Sequence, residues 1–241
     1  LLFGNPDPNF IIANLIVLLV AMTLHEFAHN YVGHLMGDPV PKQQGRLTLN
    51  PFVHINWLGW LMFAVIGFGI LGSAPISPTR MRNPRWGYFY AVAAGPFSNL
   101  ALAVLFGLII RILGVETLLA LPALVFWILW GMVFWNVLLF VFNLLPFFPL
   151  DGWHMLLSIL PGDGLQRHQV PVFVQENVRP LSRFLQEPAF QWQRWQQLSY
   201  YVFLALIFIS IAGSIVRLPF DPLGTLISQP TFSLTSMLIG G

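Results

Sequence analysis

The sequence predicts an all-α polytopic membrane protein, and three observations carry that reading. Hydrophobic residues make up 56% of the 241 and charged residues only 8%, where a soluble domain carries about 25% charged. The mean hydropathy is +0.73. Such a chain cannot cover a globular surface with polar groups, so lipid must be its solvent. The 22 Phe and 9 Trp suit lipid-facing walls and interfacial belts. A net charge of +2 and the lack of a basic tail leave no case for a nucleic-acid partner. Cysteine is absent, which excludes disulfides and thiolate metal sites. Any metal must be held by His, Asp or Glu.

A span needs about 20 apolar residues. The first candidate covers 10–36, and its second half is interrupted by Thr23, His25, Glu26, His29, Asn30 and His34. No basic stretch precedes it, so it reads as the start of a spanning helix rather than as a cleaved signal. A loop over 37–56 carries Lys42 and Arg46. The apolar run 57–71 is short for a span. Residues 72–86 are rich in Pro and Arg, and further spans are expected over 87–113 and 121–145. Asp151 precedes a short apolar helix over 152–160. Residues 161–197 are the most polar stretch and read as cytosolic or interfacial, with Trp192 and Trp195 at the membrane boundary. The last clear span is 198–216, and 218–241 receive no assignment. The chain thus divides into an embedded unit (1–160), a polar segment (161–197) and a C-terminal transmembrane helix with its tail (198–241).

Charge orients these spans. If 57–71 dips in and returns as a re-entrant segment, then 9 of the 11 Lys and Arg lie on one face, leaving Arg111 and Arg217 opposite. A full crossing would split them far more evenly. The positive-inside rule prefers the first arrangement, with the basic face cytosolic. Irregular backbone at membrane depth is tolerated only where protein or a water cavity shields it, so a sheltered cavity is expected.

His25-Glu26-Phe27-Ala28-His29 is an H-E-x-x-H motif. On a helix, i and i+4 share a face, so both imidazoles can grip one metal. Glu26 sits about 100° round from His25, within reach of a water held there. The plain alternative is a chance motif among packed histidines. In a membrane span, however, ionisable residues are costly and functional by default. A hydrolytic zinc usually has three protein ligands, so two histidines leave the set incomplete. Asp151 stands out, because it follows a span directly through a turn shaped by Pro146, Pro149 and Gly152. An Asp there serves equally well as a helix N-cap, and the residues alone leave both readings open. His34 is off the ligand face, His168 lies in the polar segment, and His154, three residues after Asp151, could support a ligand. His54 reads either as a polar helper lining the cavity or as a loop histidine bound to backbone. Gly95-Pro96 suggests a close helix approach, with Asn99 facing the cavity.

Four stretches together carry a resemblance: His25–His29; Gly37-Asp38-Pro39 with Gly45-Arg46-Leu47-Thr48-Leu49-Asn50-Pro51; Gly95-Pro96-Phe97-Ser98-Asn99; and Asn143 with Leu150-Asp151-Gly152. In this order and spacing the chain resembles the site-2 protease family of intramembrane zinc metalloproteases, in particular its small prokaryotic members. The resemblance implies one Zn²⁺ per chain held by His25, His29 and Asp151, with Glu26 as general base. It also implies that Asn143 holds or polarises the substrate; His54 and Asn99 are further candidates for that task. The three-helix catalytic core would be 10–36, 87–113 and 121–145, with a re-entrant or β-strand loop between the first two and a possible edge strand at 72–79 for an unwound substrate. Where the family carries His-x-Asp after the Asn-Pro loop, this chain reads His54-Ile55-Asn56, and within these 241 residues no PDZ or CBS domain is expected. The expected substrate is a single-pass membrane protein or peptide cut near the cytosolic face, and the expected location is the plasma membrane of a prokaryote. Two rivals use the same residues: a metal-ion transporter or sensor, and a non-catalytic membrane scaffold.

Overall fold

The structure, a computed structural model, describes residues 7–60, 72, 74–159, 192–216 and 221–240. Three long helices form the core: α1 (Pro8–Leu35), α4 (Pro84–Leu113) and α6 (Ala123–Asn143). All three are long and apolar enough to cross a membrane, and each packs on the other two. Their ends follow from sequence. Asp7 and Asn83 cap α1 and α4 by accepting from the Asn9 and Trp86 amides, each with Pro in the first turn. α4 stops at Gly114, whose φ of +75° few other residues adopt. The short helices α2 (Val40–Gln43) and α3 (Pro51–His54) occupy the loop after α1, and α5 (Val115–Ala120) joins α4 to α6. α7 (Asp151–Ile159) follows α6 after a break. α8 (Trp192–Val216) and α9 (Pro222–Ile239) complete the described chain.

The core is packed through small residues. On α4 the i, i+4 row Ala91, Gly95, Asn99, Ala103 and Gly107 is buried throughout. In lipid, apolar burial gives helices little reason to associate, and close backbone approach with interhelical hydrogen bonds replaces it. On α1 the equivalent row is Ala13, Val17, Ala21, His25, His29, all buried. The row that packs the outer half of the helix is therefore the one that presents the two histidines in its inner half. Around it, Val17 and Leu18 pack on Met132 and Trp135 of α6, while Val133 and Val137 pack with Ala103 and Ile110 of α4.

The connection from α1 to α4 begins and ends at one end of the bundle. The Arg82 amide donates to Met36 O, and the Ser77 amide donates to the buried Asp38 carboxylate. Lys42, Arg46, Arg80, Arg82 and Arg85 thus gather at that end, with Arg111 at the other. The expected re-entrant segment falls largely on 61–71, outside the described residues. The expected β-strand is not formed: among the described residues the loop has a single antiparallel bridge, Ile55 to Gly72, and Pro78–Arg80 is a 3-10 turn. Local chemistry explains this. Pro75 and Pro78 lack amides, Ile76 N turns back to Ala74 O, and Ser77 N is taken by Asp38. The expected C-terminal span appears as α8, whose apolar stretch Trp195–Ser210 is shorter than the three core spans. The unassigned 218–241 contains α9, which packs on α6 and α4.

Candidate metal centre

His25 and His29 lie ten and six residues from the end of α1, so His25 is about 15 Å below the basic end at 1.5 Å per residue. Their Nε2 atoms are 3.0 Å apart. Asp151 Oδ2 lies 3.2 Å from His25 Nε2 and 3.3 Å from His29 Nε2.

The other ring nitrogens are fixed from behind. His29 Nδ1 is 2.8 Å from Ala91 O, and His25 Nδ1 is 2.6 Å from Asn99 Oδ1. A carbonyl oxygen only accepts, so the Nδ1 of His29 carries a proton and its Nε2 is the nitrogen that faces Asp151. The amide of Asn99 is oriented in turn. Its Nδ2 donates to Asn136 Oδ1 and Ala21 O, leaving Oδ1 toward His25, and Asn136 Nδ2 donates to Met132 O. His25 is therefore held by a polar chain running through α1, α4 and α6. Asn99 and Asn136 are fully buried. Asn99 does not face the cavity as expected; it stands behind the ligand. Asn136 was missed, although an Asn in the middle of a span is itself a signal.

Asp151 arrives by a break in helical structure at membrane depth. α6 ends at Asn143, and after the break α7 continues toward the basic end, where Arg85 donates to Ser158 O and Ile159 O. The break is permitted because its amides are satisfied: Leu144, Leu145, Phe147 and Leu150 bond to nearby carbonyls, and Phe148 N donates to Ser199 Oγ of α8. Asp151 turns its carboxylate to the imidazoles, while the Trp153 amide bonds Leu150 O instead. The N-cap alternative is thus set aside.

This arrangement fits a metal ion. Two imidazole nitrogens and a buried carboxylate oxygen with no hydrogen-bond donor converge on one point. The set, two nitrogens and an oxygen from three residues, suits zinc with a coordination position to spare. Gly95 makes room: a Cβ there would lie 2.2 Å from His29 Nε2 and 2.8 Å from His25 Nε2.

The three ligands line a cavity of about 360 Å³ with Glu26, Asn143, Tyr88 and His154. Glu26 Oε2 is buried without a partner, and the Gly72 backbone closes over this carboxylate. Asn143 Nδ2 donates to Leu139 O. The apolar wall includes Met22, Leu139, Phe142 and, from α8, Phe203. His54 is buried outside this cavity with its Nε2 donating to Thr48 O, which is the backbone-bound alternative. His34 Nδ1 contacts Asp38 O; His168 lies outside the described residues.

The chain is similar to three curated proteins, each bearing the name "Putative zinc metalloprotease". It is 39% identical over 152 residues to YwhC of Bacillus subtilis, covering 61% of this chain and 68% of the relative. It is 34% identical over 149 residues to Rip2 of Mycolicibacterium smegmatis, covering 56% and 52%. It is 32% identical over 146 residues to Rip3 of Mycobacterium tuberculosis, covering 60% and 30%. The match therefore spans about half of Rip2 and less than a third of Rip3. No protein-family model and no solved structure matches the chain.

Proposed function

The chain belongs to the site-2 protease family of intramembrane zinc metalloproteases, and from that premise we propose that it cleaves single-pass membrane proteins or peptides within the bilayer, near the cytosolic face. The observation that carries this reading is the convergence of His25, His29, Asp151 and Glu26 on one cavity about 15 Å from the basic end of the bundle.

Zinc held by the two histidines and Asp151 supplies a Lewis acid toward water and a peptide carbonyl. The chain's own groups do the rest. Glu26 accepts a proton from the attacking water as the new C–O bond forms, and delivers it to the nitrogen of the departing amine as the C–N bond breaks. Asn143 has spent one amide hydrogen on Leu139 O, so its second N–H and its Oδ1 are left for a substrate backbone. The apolar wall of Met22, Leu139 and Phe142 receives a side chain from a membrane segment. That segment must be unwound, because a helical peptide uses its carbonyls internally. The preponderance of bacterial relatives and the basic face together support a prokaryotic cell membrane, with the basic end inside.

The transporter reading needs a second metal site along a path, and among the described residues His25, His29 and Asp151 form the single such group. The scaffold reading gives Glu26 no task. The test is cleavage of a membrane-helix substrate by purified protein, with and without chelator, beside Glu26→Gln. Glu26→Gln keeps zinc, since no ligand changes, and lowers the rate by about 10²-fold or more. Cleavage at the wild-type rate by this variant would end the proposed mechanism.

A further inference from the structure

Two cavity residues have no part in the chemistry above. Tyr88 lies near the start of α4 and His154 lies one turn into α7, and the Tyr88 hydroxyl is 3.1 Å from His154 Nδ1. Both line the cavity with the three metal ligands. The imidazole is held edge-on between Tyr88 and Phe148, with ring centroids 5.9 Å and 6.0 Å away, so its orientation is set before any substrate arrives.

A count of hydrogens shows what this pair offers. A phenol carries one O–H and a neutral imidazole one N–H. One of the two is used in the bond between them. If Tyr88 donates to Nδ1, the imidazole hydrogen is on Nε2. If Nδ1–H donates to the phenol oxygen, the phenol hydrogen is free. In either arrangement one donor is left over, but the phenol and Nε2 lie on opposite sides of the ring and cannot both reach one acceptor. His154 Nε2 has no partner among the described residues and is not fully buried, and His154 is one of the residues that line the cavity.

We propose that Tyr88 donates to His154 Nδ1 and so keeps the imidazole hydrogen on Nε2, from which His154 donates to the scissile carbonyl oxygen of the substrate and holds that oxygen as it gains charge in the tetrahedral transition state. The proposal rests on the protease reading. A preoriented neutral donor in a water-poor site contributes about 10²–10³ in rate. It also leaves the metal ligands untouched.

The two roles are unequal. His154→Leu removes the donor and should lose about 10²–10³ in kcat. Tyr88→Phe leaves the imidazole N–H but frees its tautomer, and should lose less than about tenfold. The double variant should lose no more than His154→Leu, because Tyr88 acts only through His154. His154→Gln restores an N–H and should recover most of the loss. All variants should carry wild-type zinc with KM changed little. A His154→Leu loss below about tenfold, a double variant clearly worse than His154→Leu, a Gln variant as poor as the Leu variant, or zinc lost with His154 would each overturn the proposal. These outcomes are read against chelator-sensitive wild-type cleavage. Failure of that control sinks the protease reading instead, so the two failures are distinct.

Discussion

Gly95 shows how one residue governs the metal centre. The absent Cβ lets His29 reach Ala91 O and lets both Nε2 atoms sit against α4. Gly95→Ala puts a methyl where the imidazoles are, and the helix backbone cannot yield. The expected outcome is a folded protein whose zinc binding is weakened by at least tenfold, on the scale seen when ligand orientation is disturbed; competition with a chelator measures it. Asp151→Ala, which removes a ligand outright, should lose most of the zinc. Full occupancy in that variant would remove Asp151 from the set. The histidine pair was legible from sequence because i and i+4 fix a local geometry. Asp151 stood out by its turn, but only the resemblance chose ligand over N-cap, since no local rule places residue 151 beside residue 25. Asn99 was picked out but misplaced, because a polar residue on a span can stand before or behind a ligand and spacing does not say which.

At the scale of elements, the break between α6 and α7 delivers Asp151, and Gly152 permits it. A Cβ at Gly152 would lie 2.3 Å from Leu144 O and 2.6 Å from Leu145 O, both backbone atoms. Gly152→Ala should therefore push α7 away from the end of α6, destabilising the fold by about 1–3 kcal/mol and lowering zinc content together. Thermal unfolding and metal analysis on the same sample test that coupling. Unchanged zinc with normal stability would show that the turn tolerates the shift. The prolines and glycine of this turn were visible in the sequence. α9 was not, for physical reasons. Pro230 sits inside it and reads as a helix breaker, and Thr231 and Thr235 are polar yet buried. Tertiary contact overrides both signals: Leu238 packs on Gly107, and Arg111 donates to the carbonyls of Met237 and Leu238 at the helix end. The strand expected near 72–79 failed for the converse reason, since its amides are missing or taken by Ala74 O and Asp38.

At the scale of the whole molecule, the charge pattern and the packing lead to one topology. The positive-inside argument needs both basic loops on one face, and the packing joins them through Arg82 N to Met36 O and Ser77 N to Asp38. α1 and α4 are then antiparallel, and Glu116, in α5 beyond the end of α4, belongs to the opposite face. The chain has no native cysteine, so single cysteines report without background. Lys42, Arg82 and Glu116 are all exposed. In sealed inside-out vesicles a membrane-impermeant maleimide should label Lys42→Cys and Arg82→Cys, and should label Glu116→Cys only after permeabilisation. Right-side-out vesicles should give the reverse. Lys42→Cys and Arg82→Cys labelled from opposite sides would mean that the chain crosses the bilayer between them. That would separate the two basic loops and break the packing that holds the segment from Ala74 to Ser77 beside Glu26. Both cysteines labelled only from outside would keep the fold and invert it, placing the basic end away from the cytosol.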